Sequence, residues 1–475
     1  MNKETRIQKI QEIIAREKPF GNMEIPWEDV LVRKDVFKIP LELLVYNKYN
    51  GRILSRTQSL ERQNHIIDVE SIEGKAEIEE LLWGSNKQRN ESTLKNISDY
   101  GQQKVGIITK DGIIIDGNRR AMLLTRGKKY DYFKAVILDV TLEENPLEIE
   151  KLETTYQMGE DEKVGYNATE KYIKSKLLYK KLTQQTYSSN PNKHKPDLET
   201  IEKIAKWMGE DKSEVLKYLN TMEVMDEYLN FLEYDGIYTQ LDKREDQFLN
   251  LTKWLKTYYG ESSKKAFDGY GDDDVDDLKA VAFDYIRAKY EGKEFRLLAE
   301  GQKPNHFFGD KEIWNSFIKF HNERIAKIEE IPIDYTSTNL YQHLNDRDAK
   351  FLENTVIDGK ESFLEENIKI HEEKLGYNRA SDEPQKLVDK AYDALSAIKT
   401  RHKSFSNNEV QEQMEELAKK VFSMLPQRSP GRILSHIITL LEEFDVKNID
   451  EKDVAEIEEK TKRIQKLGYE INKQL

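Results

Sequence analysis

The spacing of apolar residues divides the chain before any motif is considered. Through Arg16, the isoleucines Ile7, Ile10, Ile13 and Ile14 fall on one helical face, which predicts a short amphipathic helix within residues 1–22. The pattern then changes. Between Met23 and about Val140, short apolar runs (IPLELLVYN, KVGIITK, GIIIDG and FKAVILDV) alternate with Gly, Asn and Asp turns. Such runs predict mostly strands, with helices over SIEGKAEIEELLWG and STLKNISDYG, together forming a compact unit over residues 23–145. From Pro146 helical periodicity takes over, giving a helical domain over 146–260 and a mostly helical region over 261–475. The polar stretch from Thr186 to Asp197 reads as an exposed linker. The six aspartates between Asp268 and Asp277 read as a solvated loop leading into the helix AVAFDYIRAKY. Prolines at 384, 426 and 430 mark breaks between later helices. Val454, Ile457, Ile464, Leu467 and Ile471 define a closing amphipathic helix, too short for an autonomous coiled coil but suited to pairing with a partner chain. A homodimer is therefore among the expectations.

Composition narrows the chemistry. The 475 residues include no cysteine, 34% are charged, and the formal net charge is -13. Without cysteine there is no disulfide, no thiolate nucleophile and no cysteine-rich zinc site. The acidic total argues against a protein that coats nucleic acid indiscriminately, while leaving room for a local basic site. Tyr, Phe and Trp supply the large apolar surface that cores require. The first residues have no apolar signal core, and no apolar run approaches the length of a membrane span, so a soluble cytoplasmic protein is expected. The histidines form no HExxH and no i, i+4 pair, and the aspartate run lacks the spacing and terminal glutamate of a calcium loop. There is also no P-loop lysine motif and no GxSxG elbow.

The sharpest local feature is KDGIIIDGNRRAMLLTRG, Lys110 to Gly127. It reads as a tight turn, a buried strand (Ile113 to Ile115), a break at Asp116-Gly117-Asn118, and a helix beginning near Arg119. A glycine turn feeding a helix start presents free backbone N–H groups, a natural place for phosphate. Two arginines in the first helical turn oppose the helix dipole and so require an anion, either Asp116 or a bound phosphate. Arginine's planar fork suits phosphate oxygens. Asp116 is accordingly a candidate to hold an arginine, to coordinate magnesium, or to act in catalysis. Alternatively Arg119 and Arg120 are surface residues paired with local carboxylates.

The surrounding order of motifs resembles the ParB/sulfiredoxin-like superfamily. KIPLELLVYNKYNGRI (Lys38 to Ile53) resembles the opening of a ParB-type N-terminal domain. A glycine-terminated helix (STLKNISDYG), the strand KVGIITKDG and the box IIIDGNRRAMLL follow in the same order. The resemblance covers roughly residues 35–140, with a helical continuation to about 230. It implies an α+β ParB/sulfiredoxin-like N-terminal domain, a helix-turn-helix-like unit and a mostly α-helical C-terminal region. It also implies nucleotide binding, with ATP or CTP and Mg2+ as the cofactors. Gly117, Asn118, Arg119 and Arg120 then take the phosphate box, and Arg52 matches the arginine after the asparagine turn. Gln102 lies in the segment after the glycine-terminated helix. Glu153 matches a glutamate of the family's third nucleotide segment and is a catalytic candidate. Thr154 and Gln157 depart from the asparagine and arginine of that segment, and Lys163 is a substitute charge. Sulfinic-acid reduction is excluded, because the box has Asn118 where sulfiredoxins carry their cysteine. A long insertion after Arg52, bearing Arg56, Arg62, Lys87 and Arg89, is expected either to form a lid or recognition surface beside the phosphate site or to be plain helical decoration.

Residues Ile201 to Val224 have helix-turn-helix spacing, with small Ala205 at the crossing, Gly209 in the turn and Val215, Leu216 and Leu219 on the second helix. Lys212, Ser213, Lys217 and Asn220 are the DNA-contact candidates, opposed by Glu214 on the same helix; the alternative is a structural helical module with no DNA contact. The expected function is thus a nucleotide-binding ParB-like protein, with NTPase activity considered, coupled to DNA recognition in a plasmid, phage or anti-phage setting. The alternatives are a non-enzymatic DNA-binding adaptor whose arginines contact DNA phosphates, and a ParB-like nuclease.

Overall fold

The structure is a computed structural model. It describes all residues except 64, 159–166, 190–194, 261–262, 336, 338, 358–360, 382, 425–429, 447–448 and 450–452. The chain is mixed α+β and mostly helical, with one small five-stranded sheet near its start. It divides into two units, residues 1–382 and 383–475.

The first helix, α1 (Lys3–Arg16), is capped by Asn2 and buries Ile10. Two strands follow, β1 (Gly21–Trp27) and β2 (Val30–Pro40), paired antiparallel with Trp27 opposite Val30. This hairpin is absent from the sequence expectation. Its two-residue turn places Glu28 and Asp29 at φ 51° and 64°, the mirror-image turn that matches strand twist, but without the Asn-Gly pair that advertises it. The run from Ile39 to Asn47 is not a single strand either. β2 ends at Pro40, and Leu41–Leu43 make one 3-10 turn.

The insertion after Arg52 folds as α2 (Leu54–Arg62), α3 (Ile72–Ser85) and the start of α4 (Lys87–Tyr100). The short strands β3 (Gly106–Ile108) and β4 (Ile114–Asp116) come next. Then follow α5 (Asn118–Gly127) and β5 (Tyr132–Ile137). The sheet order is β1-β2-β5-β3-β4, with β3 parallel to β5 and every other neighbour antiparallel. Alternation along the strands separates two cores. Ile108, Ile114, Phe133 and Ala135 face the cluster that holds α3, α4 and α5. Ile107, Ile115 and Val136 face α6 (Pro146–Met158) through Ile149 and Leu152.

The helices α7 (Ala168–Thr183), α8 (Leu198–Met208) and α9 (Lys212–Phe231) pack on one another. α8 ends at Gly209 (φ 66°), and α9 begins at Lys212 after Asp211, as the helix-turn-helix spacing predicts. The second helix, however, runs on to Phe231. It buries nine residues from Val215 to Leu229, so it also serves as a core strut. The remaining helices are α10 (Glu245–Tyr258), α11 (Asp272–Arg287), α12 (Gly292–Arg296), α13 (Lys311–Ile325), α14 (Leu340–Asn354) and α15 (Phe363–Arg379). One apolar cluster extends from Tyr172 to Leu375 through these elements. The aspartate run is a loop only from Asp268 to Gly271; α11 starts earlier than expected, and Asp272, Asp273 and Asp274 in its first turn complement the positive helix end.

The second unit consists of α16 (Pro384–Ser396), α17 (Asn408–Met424), α18 (Pro430–Glu442) and α19 (Val454–Gln474). No helix among the described residues is long and apolar enough to cross a membrane.

Candidate functional site: an arginine-lined cavity at the start of α5

The glycine-arginine element forms the strand, turn and helix start that its sequence predicts. Gly117 caps α5 at φ 107°, a conformation that favours glycine. A Cβ there would sit 2.6 Å from Phe133 Cζ, so the turn has no room for a side chain. Ala121 N–H closes the first helical bond on Gly117, leaving the amides of Asn118, Arg119 and Arg120 without a partner from the preceding turn.

These residues open onto a cavity of about 340 Å³ lined by Asn50, Arg52, Arg89, Thr93, Asn96, Ile97, Gln103, Lys104 and Asp116 to Arg120. Five cationic side chains thus face one carboxylate. Asp116 answers for Arg120: Arg120 Nη2 donates to Asp116 Oδ2 at 2.7 Å and to the Val105 carbonyl at 3.3 Å, and Arg120 Nε is buried without a hydrogen-bond partner. Arg119 is held differently. Its Nε donates to Asn90 Oδ1 at 2.5 Å and its Nη2 to Thr93 Oγ1 at 3.0 Å, both neutral groups. Buried Asn90 is itself fixed by donating to the Leu82 and Trp83 carbonyls, so the end of α3 orients the guanidinium through α4. Burial pushes the Arg119 guanidinium down to about 10, and the nearby charges of Arg52, Arg89 and Arg120 push the same way. It remains a cation at neutral pH, in a place that disfavours cations.

The other candidates separate clearly. Arg52 lines the cavity, and its backbone N–H donates to Asn50 Oδ1 at 3.2 Å within the asparagine turn. Asn118 is buried and structural as well as lining. Its Oδ1 accepts from Asn47 N–H at 2.9 Å and its Nδ2 donates to the Ile114 carbonyl at 3.0 Å, locking α5 to both the asparagine turn and β4. Gln102 does not line the cavity. Its amide ties the segment before β3 to the central strand β5 by donating to the Lys104 and Lys134 carbonyls and accepting from Lys134 N–H, and the neighbouring Gln103 and Lys104 face the cavity instead. Glu153 lies buried behind the wall, accepting from Asn47 Nδ2 at 3.3 Å. Asp111, at the far end of the isoleucine strand, accepts from Thr109 at 2.5 Å and faces Lys3 of α1. Lys163 and the side chain of Gln157 lie outside the described residues.

Sequence reasoning offered Arg89 of α4 as part of a lid or recognition surface, but missed Asn90 and Thr93 on the same helix. Of the insertion's cations, Arg89 reaches the cavity, whereas Arg56 faces Asp242 (3.9 Å) and Arg62 donates to the Asp235 carbonyl (3.0 Å) in the helical part. Asn90 and Thr93, three residues apart on one helical face, were the available signal.

The donor set was also compared with what magnesium requires. Among the described residues, Asp116 is the one carboxylate on the cavity wall and is bonded to Arg120, and no cluster of three metal-ligating side chains occurs.

At the helix-turn-helix-like unit, Lys212, Ser213 and Lys217 are exposed on the first turns of α9. Lys212 pairs with Glu202 at 3.3 Å and Lys217 with Glu214 at 2.9 Å, while half-buried Asn220 accepts from Tyr187 Oη at 2.5 Å. The carboxylates mute the positive charge on that face. Compared with known protein families, curated proteins and solved structures, the chain matches none.

Proposed function

We propose that the cavity at the start of α5 binds the phosphate groups of a nucleotide, ATP or CTP, within a ParB/sulfiredoxin-like domain, and that the helical unit following it couples this occupancy to DNA recognition. The observation that carries the reading is Arg119. This half-buried cation is held in position by two neutral groups and crowded by three other arginines, at a helix end with free amides. An anion placed there gains charge-assisted hydrogen bonds and relieves the repulsion. The cavity volume lies in the range of small-ligand sites. Hydrolysis is not part of the proposal, because Asp116 is engaged by Arg120 and Glu153 lies behind the wall. For a metal-dependent nuclease, the described residues of the cavity offer only Asp116, and that carboxylate is bonded to Arg120.

Calorimetry of the full chain against ATP, CTP and GTP, with and without magnesium and duplex DNA, tests this. Arg119→Ala should weaken nucleotide affinity by roughly 10- to 100-fold, the worth of one charged hydrogen-bonding group. Undiminished affinity in both Arg119→Ala and Arg120→Ala would remove the site from consideration. A DNA adaptor gives another result: no nucleotide binding, with the same substitutions lowering DNA affinity and flattening its salt dependence.

A further inference from the structure

A second cavity, of about 390 Å³, lies in the helical part of residues 1–382, between α11, α13, α14 and the end of α9. It is lined by exposed residues (Phe231, Asn322) and by buried ones (Val281, His321, Phe351), so it runs from solvent into the core. Its walls are mainly apolar, and its volume is in the range of small-ligand sites. Most of the charged groups on the wall are already answered within the protein. Arg287 donates to Asp348 at 2.9 Å and to the two Glu330 oxygens at 2.5 and 3.1 Å. Arg347 donates to the Ile331 and Leu232 carbonyls at 2.7 and 2.6 Å. Asp277 is exposed and keeps contact with water. A charged ligand would have to compete with these pairings.

His321 is the exception. It is 1% exposed, its Nε2 lies 3.0 Å from Asp284 Oδ2, and its Nδ1 is buried with no hydrogen-bond partner among the described residues. A carboxylate only accepts, so the ring hydrogen sits on Nε2, and in the neutral ring Nδ1 presents a lone pair. The ring is held by stacking on Tyr285, with centroids 5.9 Å apart, and by the edge of Phe363. A fixed, buried acceptor in an apolar cavity favours a molecule that brings a donor to it, because a buried polar group left unpaired is costly. A single water would satisfy Nδ1 but leave the apolar walls wet, whereas an apolar molecule with a donor covers both. A cavity of about 150 Å³ accepts benzene, so this one has room for two rings. We propose that the cavity binds a small, uncharged, largely apolar molecule of one or two rings, whose hydroxyl or N–H group donates to His321 Nδ1. The inference does not rest on the reading of the α5 cavity.

Titration of the full chain with indole, followed by ligand-observed NMR, should show saturable binding. Indene has the same two-ring shape without the N–H and should bind at least roughly tenfold more weakly, since a buried group left unpaired discriminates strongly. Ile325→Trp, which puts a large side chain on the half-buried wall, should lower indole affinity by at least roughly tenfold. Because that variant could disturb the packing of α13, a second measurement uses the unaltered sequence. With 15N-labelled histidine, the His321 Nδ1 resonance, assigned by its loss in His321→Gln, should move upfield when indole is added. Absence of saturable binding by indole, phenol and 2-naphthol overturns the proposal. Equal affinity for indene and indole, or an Nδ1 resonance that does not move, overturns the assigned hydrogen bond. Undiminished binding in a folded Ile325→Trp chain overturns the assigned cavity.

Discussion

Residues 1–382 and residues 383–475 are built from similar amphipathic helices but use them in opposite ways. In the first unit, apolar faces close on a sheet or on other helices, and residues such as Leu123, Phe133, Leu219 and Trp254 are almost fully removed from water. In the second, helices with equally clear stripes bury nothing among the described residues. The lesson is that amphipathic spacing specifies a face, whereas burial requires an opposing surface of the right size. The first unit supplies that surface itself, and in doing so it also builds a cavity where charges are held against their preference.

The largest expected contrast comes from making the same truncation in both regions. Leu123→Ala should lower the unfolding free energy of residues 1–382 by about 2–5 kcal/mol in urea denaturation, the usual cost of a core cavity. Leu434→Ala, 41% exposed at the start, should leave that transition within about 0.5 kcal/mol. Equal losses would break the comparison. Next, Gly117→Ala should cost about 1–3 kcal/mol, since it forces a positive φ on a side chain and drives a Cβ against Phe133. It should also weaken nucleotide binding, because the α5 amides would shift. A fall in stability with affinity intact would show that the turn matters for folding alone.

A pH experiment sharpens the contrast further. Glu170 on α7 is buried, and burial pushes its carboxyl up to about 7 against the pull of its bonds from Ser55 N–H and Oγ. Between an unfolded value of 4.5 and the folded value near 7, the native state alone holds the proton. Stability should therefore fall as pH rises through that window and level off above it. Glu170→Gln should flatten this slope and recover on the order of 1–2 kcal/mol at pH 8. An unchanged pH profile would show that the group titrates normally. The smallest expected effect is on the exposed face of α9. Lys217→Ala, which removes the surface pair with Glu214, should alter stability by less than about 0.5 kcal/mol. The same variant assayed for DNA affinity asks whether that face contacts phosphate.

Legibility in the sequence followed the range of the interactions. α1, the strand–glycine–arginine element and the start of α9 were readable because caps, turns and periodicity act within a few residues. The β1–β2 hairpin was not, because β2 is mostly exposed over its first half and its turn uses Glu28 and Asp29. Of the phosphate-site residues, Gly117, Asn118, Arg119, Arg120 and Arg52 share one cavity, whereas Gln102 and Glu153 do not line it. A one-residue shift along an extended segment turns a side chain to the opposite face, which is how Gln103 takes the place expected for Gln102.

The sequence by itself determined where α1, α5 and α9 start, which faces are apolar, and that any chemistry here proceeds without a thiol. Local sterics, capping and composition act without knowledge of the rest of the chain. Only the tertiary structure decided that Arg119 is held by Asn90 and Thr93, that Asp116 is committed to Arg120, and that Glu153 is set behind Asn47. Those outcomes depend on groups brought together from distant segments. For the same reason the apolar stripes of residues 1–382 closed into cores, while those of 383–475 remained exposed: a face becomes a core only when a second surface meets it.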